Sequence, residues 1–436
     1  MQSRIRSLLL FALAVIALGI STTVHADEVT DWNQILFQAA ITDNTLAVIL
    51  TRNAAIVQAS VFDAVNGVER RYTPIHVTPD APHGASARAA AVQAAYASLL
   101  RLYPNQQSTF DAARAASLAA ILSKKGGGHE EQKLQSAVDL GVKWGREVAD
   151  GIWAWRSTDG FTPTPAPFTG GTNVGQWRPT PPAFLSGRGF QFSYMTPWVM
   201  ASPSQFRPAG PPALSSARYA EVFNEIKAYG SISSTVRTAD QTLYSIFWQG
   251  AMNRAWSRVA ISLGAERHTT LLENVLVLAA LNVALADATI ACWEAKYHYV
   301  FWRPITAIPL ADTDGNPATI ADPNWTPLLI TPAHPDYPAG HSTQTAAAIV
   351  VLAHYFGKNS SIIVDSEVSP GVVRSFSDFA SAQVELNNAR VYGGIHFRTA
   401  CDDGQATGTA VARFLLKNAF QRVDGHDWVD RDDADN

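Results

Sequence analysis

Lys296 and Arg303 stand seven residues apart in the segment KYHYVFWRP, with no acidic residue between them. Seven residues make almost two helical turns, so on a continuous helix the two cations share one face, about 10 Å apart along the axis. Pro304 disfavours helix at Arg303 and puts it at a helix end. Tyr297, Tyr299, Phe301 and Trp302 make the surroundings apolar, where an unpaired charge is costly. Such a pair is either a solvated basic face or part of a site for an external anion.

Two further segments carry the same kind of chemistry. In HPDYPAGHS, Pro338 and Gly340 make a turn, and an apolar helix follows from Ser342 to Phe356. Gly340 lets the backbone approach a ligand, and a helix N-terminus offers free N–H groups to an anion. His341 would then sit beside that anion as an acid–base group. In RVYGGIH, the double glycine at Gly393 and Gly394 breaks a helix, so Arg390 and His396 can face one point from two directions. Arg offers a planar fork of donors to an oxyanion, and a neutral imidazole can be a nucleophile or a ligand to the central atom. Each segment alone has a plain structural reading, as a glycine-started helix or a core histidine. Together they describe a site for a tetrahedral oxyanion.

The elements that must position these residues are helical. Apolar residues recur at three and four over 27–43, 52–68, 86–123 and 134–156. A second helical block starts near Ser216, with helices expected at 239–263, 271–302, 342–356, 375–392 and 397–419. Strict alternation over a strand length is hard to find. Between the blocks, 159–212 is rich in Pro, Gly, Trp and Phe and reads as an ordered irregular segment. The expected fold is all-α. It is one unit over 27–436, with an N-terminal lobe at about 27–158, the Pro-rich segment at about 159–213 and a C-terminal site lobe at about 214–427.

Composition narrows the class. Apolar residues are 47% and charged residues 16% of 436, a globular balance. The net charge of −4 and the lack of a basic stripe argue against a nucleic-acid partner. Residues 1–26 combine Arg4 and Arg6, an apolar run from Ser7 to Ile20, and small residues at Val24 and Ala26. They read as a signal peptide cleaved before Asp27, which implies a secreted or periplasmic protein. The apolar stretch 271–290 is broken by Asn282 and Asp287. It reads as a core helix, so no integral membrane segment is expected in the mature chain. Cys292 and Cys401 each fall near a site segment, and export would permit a bridge between them; two separate buried thiols are the other reading.

Lys-x6-Arg-Pro, then Pro-x-Gly-His, then Arg-x5-His resembles the three-part signature of the vanadium-dependent haloperoxidases and the related type 2 phosphatidic acid phosphatases. The stretches ASVFDAVN (59–66), STVRTADQTLYSIFW (234–248), 296–308 and 393–398 extend the resemblance to the soluble bacterial branch of the family. It implies an all-α fold with helical-bundle cores. It further implies that Lys296, Arg303, Arg390 and the Gly340 N–H hold the oxygens of vanadate or phosphate. His341 becomes the acid–base residue. His396 becomes the vanadium ligand or, in a phosphatase, the attacking nucleophile. The leading activity is then vanadate-dependent oxidation of bromide or iodide by hydrogen peroxide to hypohalous acid. The alternatives are a secreted acid phosphatase that cleaves a phosphate ester through phospho-histidine, and an oxyanion binder without turnover.

Two positions depart from the signature. Ala339 replaces its Ser and removes one hydroxyl donor. Ala400, four residues after His396, stands where the phosphatase pattern has an orienting Asp. His334 resembles the bromide-oxidising branch at the halide-selectivity position; otherwise it is a loop histidine packed on Tyr337 or Trp325. A metal-hydrolase reading of His334, Asp336, His341, Asp402 and Asp403 lacks a compact ligand motif.

Overall fold

A computed structural model describes residues 27–123 and 128–425. The expected signal peptide and the acidic end after Asp427 lie outside the described residues. The chain forms α1 (Glu28–Thr42), α2 (Ala47–Glu69), α3 (Ala87–Leu102), α4 (Gln107–Leu122) and α5 (Gly128–Arg156). After the irregular segment come α6 (Ala217–Tyr229), α7 (Ala239–Phe247), α8 (Met252–Glu266), α9 (Leu271–Tyr299) and the short α10 (Pro304–Ala307). The last elements are α11 (Gly340–Phe356), strands β1 (Ile362–Asp365) and β2 (Val373–Phe376), α12 (Phe379–Tyr392) and α13 (Arg398–Asn418). The all-α expectation holds.

Helix α9 is the spine. Its N-terminus is closed by a capping box between Thr270 and Glu273. It is apolar on every side, as a helix enclosed by others must be, and its most apolar stretch is wholly buried in protein. It packs against α2 on one side and against α11 and α13 on another. The polar breaks in its sequence have partners. Asp287 accepts the backbone N–H groups of Trp198, Val199 and Met200 at 2.7, 2.9 and 3.2 Å, which pins the Pro-rich segment onto the helix. Asn282 bonds the Leu278 carbonyl and Asn253.

Six expected helices differ in extent by three residues or more; the 52–68 helix starts at Ala47 and the 134–156 helix at Gly128. The 86–123 helix is two helices, because Pro104 cannot continue α3 and a 3₁₀ turn intervenes. The 239–263 helix breaks at Trp248–Ala251, a loop that turns out to face the site. The 271–302 helix stops at Tyr299. The 375–392 helix starts at Phe379, where the Asp378 carboxylate caps the Ser381 N–H at 2.8 Å. Before it, β1 and β2 form an antiparallel pair, Ile362 opposite Phe376. The pair is short, and β2 has no buried face to print an alternation on the sequence.

Candidate functional site

The end of α9 sets the first two cations. Val300 takes a left-handed φ of 51°, an uncommon state for a β-branched residue. The Pro-rich segment holds it there. Trp177 donates to the Val300 carbonyl at 2.7 Å, and Trp302 donates to that of Gly175 at 2.9 Å. Arg303 is thereby folded back toward Lys296. Both are fully buried. The two cations meet through this turn, and not along one helix face as their spacing suggests.

Lys296 Nζ donates to the carbonyls of Pro335, Asp336 and Pro338 at 2.8, 3.0 and 2.5 Å. It therefore gathers the 335–338 turn around itself. Arg303 donates through Nε to the His334 carbonyl at 2.8 Å and through Nη1 to the Ile395 carbonyl. Its Nη1 also lies 3.1 Å from His396 Nε2, and its Nη2 lies 3.0 Å from His334 Nδ1. The His334 ring rests on Trp293, centroids 5.1 Å apart, and not on Tyr337 or Trp325.

Gly340 opens α11. A Cβ there would stand 3.1 Å from the Trp293 ring, so glycine lets the helix start come this close. Ala339 occupies the N-cap and supplies no side-chain cap. The N–H groups of the first turn are left for another acceptor. His341 follows, hydrogen-bonded to the backbone of Gln249 and Gly250. Its Nε2 is buried without a partner.

Arg390 ends α12 and is buried. Nη1 donates to the Trp248 carbonyl at 2.9 Å, and Nε has no partner. Gly394 follows with φ of 76°, and a Cβ there would meet the Gly230 carbonyl at 2.4 Å. This glycine lets the chain reverse so that buried His396 reaches the same point. All seven residues singled out in the sequence are therefore neighbours of this one region. Behind them, Tyr219, Phe223, Phe301, Trp302, Tyr337 and Phe397 form a second apolar cluster that backs the turns.

Sequence reasoning gave Asp336 only a weak metal-binding role. Its carboxylate is fully buried in the site, with Oδ1 3.1 Å from His396 Nδ1 and 3.8 Å from Arg303 Nη1. Among the described residues, it is the one carboxylate within 4.0 Å of any of the three cations. The signal was an acid between two prolines inside the second segment. The metal-hydrolase cluster does not assemble. Asp403 accepts from the Tyr337 hydroxyl at 2.6 Å, and Asp402 pairs with Arg218 at 3.4 Å. No group of three or more His, Cys, Asp or Glu is placed to hold a metal ion among the described residues. The cysteines are separate buried thiols and are not bridged. Cys292 Sγ lies 3.6 Å from the Pro338 carbonyl, below the turn.

Burial dominates the electrostatics. It lowers Lys296 to about 7, and Arg303 and Arg390 each to about 10. It raises Asp336 to about 7 against the pull of Arg303 and Lys296. Burial, then the neighbouring cations, hold His334, His341 and His396 well below the usual imidazole range. The histidines are neutral, so Arg303, Arg390 and, below about pH 7, Lys296 are buried cations that face the single carboxyl of Asp336. A charge surplus of this kind is costly without an anion. The unpartnered Arg390 Nε, the His341 Nε2 and the uncapped start of α11 are donors and proton carriers suited to an oxyanion.

A family model for the VCPO second helical-bundle domain matches residues 276–425. These residues include α9 from its second turn, and all the site segments. The chain is 26% identical over 268 residues to vanadium chloroperoxidase of Curvularia inaequalis, 49% of this chain and 42% of that protein. It thus spans about two fifths of that curated relative. The fold matches the crystal structure of a bacterial vanadium-dependent iodoperoxidase with a TM-score of 0.78 at 26% identity, over 91% of this chain and 97% of the other. The chain is thus similar to vanadium haloperoxidases in its second helical-bundle domain and in its overall fold. A bacterial vanadium-dependent chloroperoxidase shares the fold at a TM-score of 0.64 and 17% identity, covering 85% and 92% of the two chains.

Proposed function

We propose that this chain is a vanadate-dependent haloperoxidase that oxidises bromide or iodide with hydrogen peroxide to hypohalous acid. The observation that carries the reading is the set of three buried cations and an uncapped helix start around His396, with one carboxylate among them. Arg303, Arg390 and the first-turn N–H groups of α11 would hold the oxygens of vanadate, and Lys296 would add its charge. His396 would bind the vanadium. Bound there, vanadate supplies the electrophilic centre that activates peroxide toward halide. Fixed donors stabilise the charge on its oxygens without reorganising. His341, neutral and with Nε2 unpartnered, is ready to take a proton from incoming peroxide and to return it to the leaving oxygen. The apolar backing of the turns limits water around the site.

Bromide and iodide are favoured over chloride through His334. Its ring lies between Arg303 and Trp293 at the edge of the site, and the likeness to an iodoperoxidase supports the same choice. A second reading, phosphate-ester hydrolysis with His396 as nucleophile, is favoured by the contact of His396 with Asp336. The deciding experiment assays the purified protein with peroxide and each halide, with and without vanadate, beside a phosphatase assay. Vanadate-dependent bromide and iodide oxidation is expected, with little chloride oxidation. His396→Ala should abolish the activity. Turnover by His396→Ala at the wild-type rate would sink the assignment, and fast chloride oxidation would sink the halide reading. Export through residues 1–26 belongs to the same proposal; N-terminal sequencing of the mature protein should begin at Asp27.

A further inference from the structure

Asp336 stands in a place that the family signature leaves to another residue. The resembling phosphatase pattern brings an acid to the last histidine from four residues downstream. Here that position is Ala400, buried in the first turn of α13, with its carbonyl accepting from the Ala339 N–H at 2.8 Å. No acid can reach the ring from that side. The carboxylate near the ring comes from another segment, the turn before α11.

We propose that Asp336 is the positioning residue for His396: it accepts from Nδ1–H and leaves Nε2 as the atom presented to the oxyanion. The inference rests on the reading of His396 as the residue that meets the central atom. Distances and the unpartnered Asp336 oxygens point to the roles of the two ring nitrogens. A carboxylate only accepts when ionised, and a guanidinium only donates. Nδ1 is 3.1 Å from Asp336 Oδ1, a buried oxygen with no hydrogen bond of its own, and is the ring nitrogen to which the proposal gives the proton. Arg303 Nη1 lies 3.1 Å from Nε2 and 3.4 Å from Nδ1, and the nearer nitrogen is the one to which the proposal gives the lone pair. Neutralising Arg303 is the other role open to Asp336, and it is the weaker one. That pair is 3.8 Å apart, and the guanidinium donates to the His334 and Ile395 carbonyls instead.

The carboxylate is held firmly enough to aim a ring. The Asp336 N–H donates to the Phe301 carbonyl at 2.9 Å, and its own carbonyl accepts from Lys296 at 3.0 Å. Asp336 therefore ties together all three motif segments. It joins the Lys296–Arg303 segment through its backbone and the His396 segment through its side chain, and it lies on the turn that delivers Gly340.

The test uses ¹⁵N-histidine-labelled full chain without vanadate, the His396 signals being assigned by their loss in His396→Ala. The wild type should show a neutral ring protonated at Nδ1. Asp336→Leu, of similar size and unable to accept, should lose that pattern and bind inorganic phosphate or vanadate about tenfold more weakly. Asp336→Asn should melt within a few degrees of the wild type and lower kcat about a hundredfold with little change in the halide KM. Adding Ala400→Asp to Asp336→Asn should recover at least part of that kcat, since the acid then returns from α13. An unchanged Nδ1–H pattern in Asp336→Leu, or unchanged oxyanion affinity in both single variants, would overturn the proposal. If the wild type oxidises no halide but the ¹⁵N pattern and phosphate affinity still follow Asp336, the positioning role stands and the peroxidase reading falls.

Discussion

Two clusters of buried charge, one in each half of the chain, are built on opposite rules. In the first, Arg52 and Arg156 share Asp159, with Nε–Oδ2 at 2.8 Å and Nη2–Oδ2 at 3.0 Å. Spare donors go to the Arg156, Thr196 and Pro197 carbonyls, and Asp287 lies close enough to favour the charge on Arg156. Two cations meet two acids. In the second, Lys296, Arg303 and Arg390 meet Asp336 alone, and backbone carbonyls take most of their donors. The first cluster balances its charge within the protein and leaves only Arg156 Nε without a partner. The second is short of negative charge, and that deficit is what supports reading it as an anion site. Buried cations alone do not distinguish the two clusters; the number of acids around them does.

The largest effect should come from breaking the balanced cluster. Asp159→Ala leaves two buried guanidiniums without their shared partner. Breaking a buried pair this way costs about 3–5 kcal/mol. The melting temperature should fall by about 5–10 °C, with oxyanion affinity unchanged in the protein that remains folded. Thermal unfolding and equilibrium dialysis on the same sample check both halves. A melting temperature equal to the wild type would mean that the two clusters do not differ as described.

Arg390→Met is the converse. Arg390 has no carboxylate within 4.0 Å among the described residues, so an apolar side chain of similar length removes an unpaired buried charge. Stability should hold or rise. Vanadate or phosphate affinity should fall by about 10- to 100-fold, the effect of losing charged hydrogen bonds of roughly 1.5–3 kcal/mol. A variant that loses stability and keeps its affinity would reverse the interpretation.

The third prediction concerns pH. Burial lowers Lys296 to about 7. A bound oxyanion favours the charged ammonium, so above pH 7 binding must take up a proton. Affinity should be flat below about pH 7 and fall by up to about tenfold per pH unit above it. Asp336, raised to about 7, ionises over the same range and pushes the same way. Sulfate is the suitable probe, because its own charge is constant there. Lys296→Met should flatten the slope to the part due to Asp336. For the oxyanion-free fold the sign is opposite. The unfolded chain holds the Lys296 proton up to about 10.5, so this group makes the fold more stable as pH rises from about 7 to 10.5. An affinity that rises with pH would break the argument.

The three motif segments were legible because their chemistry is local in sequence. Each pairs a charged or imidazole side chain with the Pro or Gly that shapes its turn. The long helices were legible from apolar spacing, although Pro104 was a visible break that the spacing obscured. What the sequence did not reveal depends on distant partners. Val300 turns left-handed because Trp177, more than a hundred residues earlier, fixes its carbonyl. The Trp248–Ala251 loop interrupts an otherwise helical pattern, and its carbonyls serve Arg390 and His341. Asp336 reads as a turn residue until His396, sixty residues on, is brought beside it. Site geometry of this kind arises from tertiary contacts that local propensity does not encode.

The smallest and most selective change is Ala339→Ser, which adds one hydroxyl to the deficient cluster and leaves its charge alone. Ala339 is the N-cap of α11, with extended φ and ψ of −78° and 119°. That is the backbone state in which a Ser oxygen accepts from an N–H of the first turn. The same hydroxyl has a proton to donate, and the nearest acceptor in a loaded site would be an oxygen of the bound anion. The two roles are compatible, since one lone pair faces the helix and the hydrogen faces the ligand. Capping alone should raise stability by about 1 kcal/mol, seen in thermal unfolding without any anion. Donation to the anion should tighten vanadate binding by about tenfold, equivalent to roughly 1.4 kcal/mol. Activity at limiting vanadate should rise with occupancy. At saturating vanadate the gain should be smaller, because only a difference between ground and transition state would remain. Equilibrium dialysis separates the two contributions. A more stable variant with unchanged affinity would mean that the hydroxyl caps the helix and never reaches the anion, and that the three cations already satisfy that oxygen.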